Sequence, residues 1–240
     1  MPLDKTGWFN VGVKYYFNGD QKDIKNSAYM SGFTTFIPGV FATAGIRGHF
    51  ATRFNGGNVW WFGADLGFAG SFEDHKSLKS FHNNTFLFDS KVTIGYKNID
   101  AMIGYVASGN AGMGSLGILG VGNGTQADMS NTFYTNIQPF FVWGGRAIKM
   151  GNNAHLIYAA TRLGLLDNKL NMYFAYGATF FNGSNYYGGN RKNLTQSEFN
   201  AMLEFGITQT LSAITHISST HFSRGVPSTF EINGGLRFMF

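Results

Sequence analysis

Two His-x-Ser pairs stand in the run Ser212-Ala-Ile-Thr-His-Ile-Ser-Ser-Thr-His-Phe-Ser223: His216 with Ser218, and His221 with Ser223. On an extended chain, residues two apart project from one face. A histidine in reach of a serine hydroxyl can take its proton, and an acid can orient the imidazole, which is the chemistry of acyl transfer. Glu231, in the next extended run, is the available acid. The plainer reading is that Ser, Thr and His populate the wet end of a strand.

Other chemistry is sparse. His75 and His82 share a stretch with Glu73 and Asp74, a grouping that suits a cation but more often is simply solvated, so no metal site is assigned. No glycine-rich loop leads into a helix to cradle a phosphate, and no cofactor is expected. The chain has no cysteine, which fits an exported protein that avoids stray disulfides. A net charge of +5, scattered along 240 residues, gives no nucleic-acid footprint.

The elements that must position these residues are strands. Glu231 to Phe240 alternates Ile232, Gly234, Leu236, Phe238 and Phe240 against Glu231, Asn233, Gly235 and Arg237. A period of two marks a strand, and one that is apolar on one face and charged on the other separates two solvents. The same pattern recurs over Thr6 to Asn18, Val40 to Phe54, Val59 to Phe72, Thr85 to Lys97, Ile99 to Tyr105, Ala154 to Leu166, Lys169 to Phe181, Phe199 to Gln209 and Ser212 to Phe222. Connections near Asn55, Asn98, Asp167 and Thr210 are short. Those over Gly19 to Pro38, Glu73 to Asn84 and Asn182 to Ser197 are long, and their Lys22, Lys25, Lys76, Lys79, Arg191 and Lys192 imply a basic outer rim.

No run of about 18 apolar residues could form a membrane helix. Charged residues make up 13% of the chain and aromatic ones 17%. Apolar groups must therefore be exposed on alternate residues, with no helices to cover them. One domain, residues 1–240, is expected: an all-β transmembrane antiparallel up-and-down β-barrel. Adding Gly112 to Gly122 and Thr132 to Trp143 gives twelve strands, the even number that returns both termini to one side; if that Gly-rich stretch folds into the lumen, the count is ten. Trp8, Phe9, Trp60, Tyr96 and Phe240 are expected at the periplasmic strand ends.

The closing strand, ending on Phe240, resembles that of bacterial outer-membrane β-barrels, in which a terminal aromatic belongs to the assembly signal. The resemblance implies a bacterial outer-membrane location, lipid around the apolar face, and recognition by the outer-membrane assembly machinery through this strand. Met1-Pro-Leu-Asp-Lys-Thr6 leads directly into the first strand, so no cleavable signal peptide is visible; for an exported barrel the expectation is that the signal was removed and Met1 added, or that the mature chain is shown. The His-aromatic-Ser followed by a Glu on the last strand looks like lipid A deacylases, and His-x-Ser also resembles outer-membrane phospholipase A. Carried over, His221 is the base, Ser223 the nucleophile and Glu231 the orienter. Those families usually place Asn after the serine, whereas Arg224 follows Ser223 here. Autotransporter translocator domains share the aromatic ending, although their pore normally holds an N-terminal helix.

The charged face lines the lumen in such a barrel. The pore-lining set is Lys14, Arg47, Arg53, Asp65, Asp89, Lys91, Arg162, Glu204, Glu231 and Arg237, with His49 and Asp100 on the same face. Charges of both signs can pair along the wall or oppose each other across a pore and create a transverse field. Inward glycines, among them Gly45, Gly63, Gly95 and Gly104, are expected to leave space. The preferred reading is a porin-like passage for small hydrophilic solutes with a slight anion preference, ahead of the hydrolase and of a structural or autotransporter barrel.

Overall fold

The computed structural model describes residues 9–19, 23–37, 41–54, 60–73, 85–109, 153–182 and 193–238. They form eleven strands: β1 Phe9–Asn18, β2 Ala28–Ile37, β3 Phe41–Arg53, β4 Trp60–Glu73, β5 Thr85–Tyr96, β6 Ile99–Ser108, β7 His155–Leu165, β8 Leu170–Phe181, β9 Leu194–Gly206, β10 Leu211–Phe222 and β11 Thr229–Phe238. A single-turn 3-10 helix, Ile24–Asn26, lies between β1 and β2. All eleven strands belong to one sheet in sequence order, and each consecutive pair is antiparallel. Among the described residues, β1 and β11 are the two edges and do not pair with each other.

Alternation decides the faces. Val11, Val13, Tyr15 and Phe17 on β1, Leu66 and Phe68 on β4, Ile103 on β6, and Ile232, Leu236 and Phe238 on β11 all point outward. Val13 and Ile103 are each 66% exposed. A continuous apolar face of this extent is far more than a soluble protein leaves in water, and it suits lipid. The residues between them turn inward, where Arg47, Asp89, Glu198 and Asn200 are buried. Near one rim the inner wall is apolar instead: Ala154, Leu156, Phe181, Leu194, Phe222 and Val226 form a buried cluster with Leu87 and Val106.

Connections sort by rim. The junctions β1–β2, β3–β4, β5–β6, β7–β8 and β9–β10 lie at one end of the sheet. The junctions β2–β3, β4–β5, β6–β7, β8–β9 and β10–β11 lie at the other. At the first rim Leu166, Asp167 and Asn168 all take the left-handed conformation (φ 52°, 55° and 63°), which Asp and Asn tolerate through their short polar side chains. We call the two ends the short-turn rim and the long-connection rim.

Four expectations need correction. The stretch Gly19 to Pro38 is not one long loop, because it contains β2. Tyr29 and Phe33 of β2 point inward while Gly32 lies outward, so the strand lacks the apolar-out contrast that marks the others. The candidate strands Gly112 to Gly122 and Thr132 to Trp143 lie outside the described residues. β6 nevertheless pairs directly with β7, Ile99 opposite Leu163 through Ala107 opposite His155, so the sheet passes between them with no intervening strand. Neither ten nor twelve is therefore the described count. Lys25 belongs to the short-turn rim rather than to a basic outer rim; Lys22, Lys76, Lys79, Arg191 and Lys192 lie outside the described residues. Finally, Trp60 and Tyr96 pair at the short-turn rim with ring centroids 4.5 Å apart, but Phe9 pairs with Phe36 at the opposite one. Trp8 and Phe240 lie outside the described residues.

Candidate functional site

The inner face of β3, β4 and β5 carries a chain of charges held by strand register. His49 stands opposite Asp65, and Asp65 opposite Lys91. Arg47 reaches Asp65 at 3.2 Å and Asp89 at 3.6 Å, so one guanidinium bridges two carboxylates on neighbouring strands. Asp65 also meets His49 Nδ1 at 3.0 Å and Lys91 Nζ at 3.3 Å. Arg47 and Asp89 are 3% and 0% exposed on their side chains, a depth at which an unpaired charge is costly. Lys14 stands apart from these ion pairs: its ammonium lies 4.0 Å from the Tyr29 ring centroid and 5.3 Å from that of Tyr16. Tyr29 in turn stacks on His49.

A second centre forms at the short-turn rim. Asp100, at the start of β6, receives Lys25 Nζ at 3.2 Å, Trp61 Nε1 at 2.9 Å and Arg162 Nη1 at 3.4 Å. Arg162 also donates to Asn171. Nearby, Arg53 pairs with Asp23 at 2.8 Å.

The wall of β9, β10 and β11 is acidic and amide-rich. Glu198 is buried and accepts from Gln196, Asn200 and Ser218 at 3.2, 3.1 and 3.4 Å. His216 meets Asn200 Oδ1 at 3.0 Å, and Glu204 pairs with Arg237. Glu231 stands opposite Ser218 in register.

Four of the inward glycines seat aromatic rings rather than leaving space, whereas Gly235 does face open space. A Cβ on Gly95 or Gly63 would run into the Trp61 indole, one on Gly104 into the Tyr158 ring, and one on Gly45 into Phe33. Sequence pattern marked these glycines but not their occupants. Alternation sets Trp60 on the outer face with Phe62 and Leu66 and so turns Trp61 inward, but it does not show that Trp61 rests on Gly63 and Gly95.

The proposed hydrolytic trio is not brought together. His221 Nδ1 meets Ser228 Oγ at 2.9 Å, and Ser223 Oγ accepts the Thr195 N–H at 2.9 Å. His221 shares the outward face with Ser219, whereas Glu231 aligns with the buried Ser218 on the inward one. In the other pair, His216 turns to Asn200 and Ser218 to Glu198. Glu73 ends β4, while Asp74, His75 and His82 lie outside the described residues, among which no metal-ligating cluster occurs.

No protein-family model and no curated protein sequence matches the chain. Solved structures do. OpdK of Pseudomonas aeruginosa, an outer-membrane protein also solved with vanillate, superposes with a TM-score of 0.65 at 12% identity over 96% of this chain and 56% of its own. OccAB3 of Acinetobacter baumannii gives 0.65 at 13% identity, with 97% and 55% covered. The fold is that of a bacterial outer-membrane porin. A BenF-like porin of Pseudomonas fluorescens Pf-5 agrees, with a TM-score of 0.64 at 12% identity over 96% of this chain and 53% of its own. The chain thus spans about half the length of the porins it matches. Their location supports an outer-membrane setting for this porin-fold sheet, whose apolar residues lie on one face and whose ion pairs lie on the other.

Proposed function

We propose that this chain forms the wall of an outer-membrane channel that passes small hydrophilic solutes with a weak preference for anions. One observation carries the reading: among the described residues, large apolar side chains cover the outer face while nearly every inward charge is ion-paired or hydrogen-bonded, the arrangement needed between lipid and a wet interior. The short-turn rim is periplasmic on this reading, and the outward face of β11, with Ile232, Leu236 and Phe238, is the part offered to the assembly machinery.

The inner walls differ in charge. Among the described side chains of β1 to β5 and the 3-10 helix with its Asp23 cap, Lys14, Lys25, Arg47, Arg53 and Lys91 outnumber Asp23, Asp65 and Asp89 by five to three. On β9 to β11, Glu198, Glu204 and Glu231 outnumber Arg237 by three to one. A solute between them crosses a transverse field, which orients dipolar solutes. The anion preference rests on Lys14, which is held over aromatic rings rather than against a carboxylate.

Planar-bilayer recordings of the refolded protein test both levels. Discrete openings and an anion-signed reversal potential across a salt gradient are expected. A cation-signed potential would overturn the preference, and silence of both the wild type and a Lys25→Ala variant would overturn the channel.

A further inference from the structure

Residues 23–27 do more than lead into β2. Their 3-10 helix closes on an Asn26 N–H to Asp23 carbonyl bond of 3.0 Å, and the Ala51 N–H of β3 donates to the Ser27 carbonyl at 2.8 Å. Two ionic ties then fasten them to the wall: Asp23 to Arg53 of β3 at 2.8 Å, and Lys25 to Asp100 of β6 at 3.2 Å. β2 and β6 are four strand spacings apart, about 19 Å along the wall at about 4.8 Å each. A lysine side chain alone cannot span that distance. The backbone of residues 23–27 therefore leans inward over β3 and β4, with Lys25 passing over the Trp61 ring 5.0 Å from its centroid.

We propose that residues 23–27 act as a strap across the mouth at the short-turn rim, and that Lys25 and Asp100 set the size of what passes there. This rests on the channel reading above. The receiving side is built in advance. Trp61 is seated on Gly95 with no room for a Cβ beneath it, and its indole N–H and Arg162 hold the Asp100 carboxylate in place. The strap side is held mainly by ion pairs whose cations are about one-third exposed, Lys25 at 30% and Arg53 at 31%, a class of contact that is weak and salt-sensitive. A rigid socket and a weakly tied strap make a constriction that a single substitution can open.

Because the chain has no cysteine, one substitution also makes a unique chemical handle. Single-channel conductance of wild type and Lys25→Ala, both checked for folding, is the first measurement. The variant should conduct about two-fold more, since conductance follows the narrowest section. Lys25→Cys, labelled with a bulky thiol reagent, should lose most of its current, while Lys169→Cys on an exposed turn should lose none. Variant conductance equal to wild type, together with a current that labelling at position 25 leaves untouched, overturns the strap and leaves the channel standing. A silent wild type beside a conducting Lys25→Ala supports the strap as a closure. Silence in both overturns the channel reading and the strap with it.

Discussion

Asp65 is the residue on which the β3–β5 charge chain turns, since Arg47, His49 and Lys91 all meet its two oxygens. Asp65→Asn would leave these groups facing an uncharged amide at a buried site. Removing one partner from buried pairs costs about 3–5 kcal/mol. A urea titration of the refolded protein should show that loss, whereas Arg53→Ala, at the half-exposed pair with Asp23, should cost under about 1 kcal/mol. Equal midpoints for the two variants would show that the buried chain contributes no more than a surface pair. A second residue-scale test concerns the aromatic seats. Gly95→Val should displace Trp61, cost about 1–3 kcal/mol through overpacking, and change the tryptophan emission. Much of the charge chain was legible from alternation alone, because Arg47, Asp65, Asp89 and Lys91 each fall on the polar side of a clear strand. The partners that make it a structure were not. Lys25 and Asp100 are 75 residues apart, and no local pattern signals that they meet.

Among the elements, legibility followed contrast between faces. β5, with Phe86, Val92 and Ile94 outward against Asp89 and Thr93 inward, announces itself. β2 does not, because Tyr29 and Phe33 fill the interior and its exposed face includes the small residues Gly32 and Thr34. Period-two reading assumes that bulk and hydrophobicity fall on one side, and it fails where aromatic rings pack inside. Where the contrast is strong, it makes an energetic prediction. Ile103 lies mid-strand on β6 and faces outward. Ile103→Arg should cost about 2–4 kcal/mol in lipid vesicles, while Leu165→Arg, at the short-turn end of β7, should cost about 0–1 kcal/mol. Similar costs at both positions would show that the exposed band does not follow membrane depth.

At the scale of the whole molecule, the described inward charge is unevenly spread, cationic on the β1–β5 side and acidic on β9–β11. Selectivity should then hinge on Lys14, whose ammonium is held over the rings of Tyr29 and Tyr16. Lys14→Ala should move the reversal potential toward zero while leaving the folded fraction unchanged; a potential that stays put would assign the preference elsewhere. Strand parity carries a different consequence. Because the described strands are odd in number and strictly alternate, β1 and β11 run in the same direction, β1 starting at the long-connection rim and β11 finishing at the other. A seam made by joining these two edges directly would be parallel, with slanted, evenly spaced hydrogen bonds, in a sheet whose every other junction is antiparallel. An antiparallel seam takes an odd number of further strands between them.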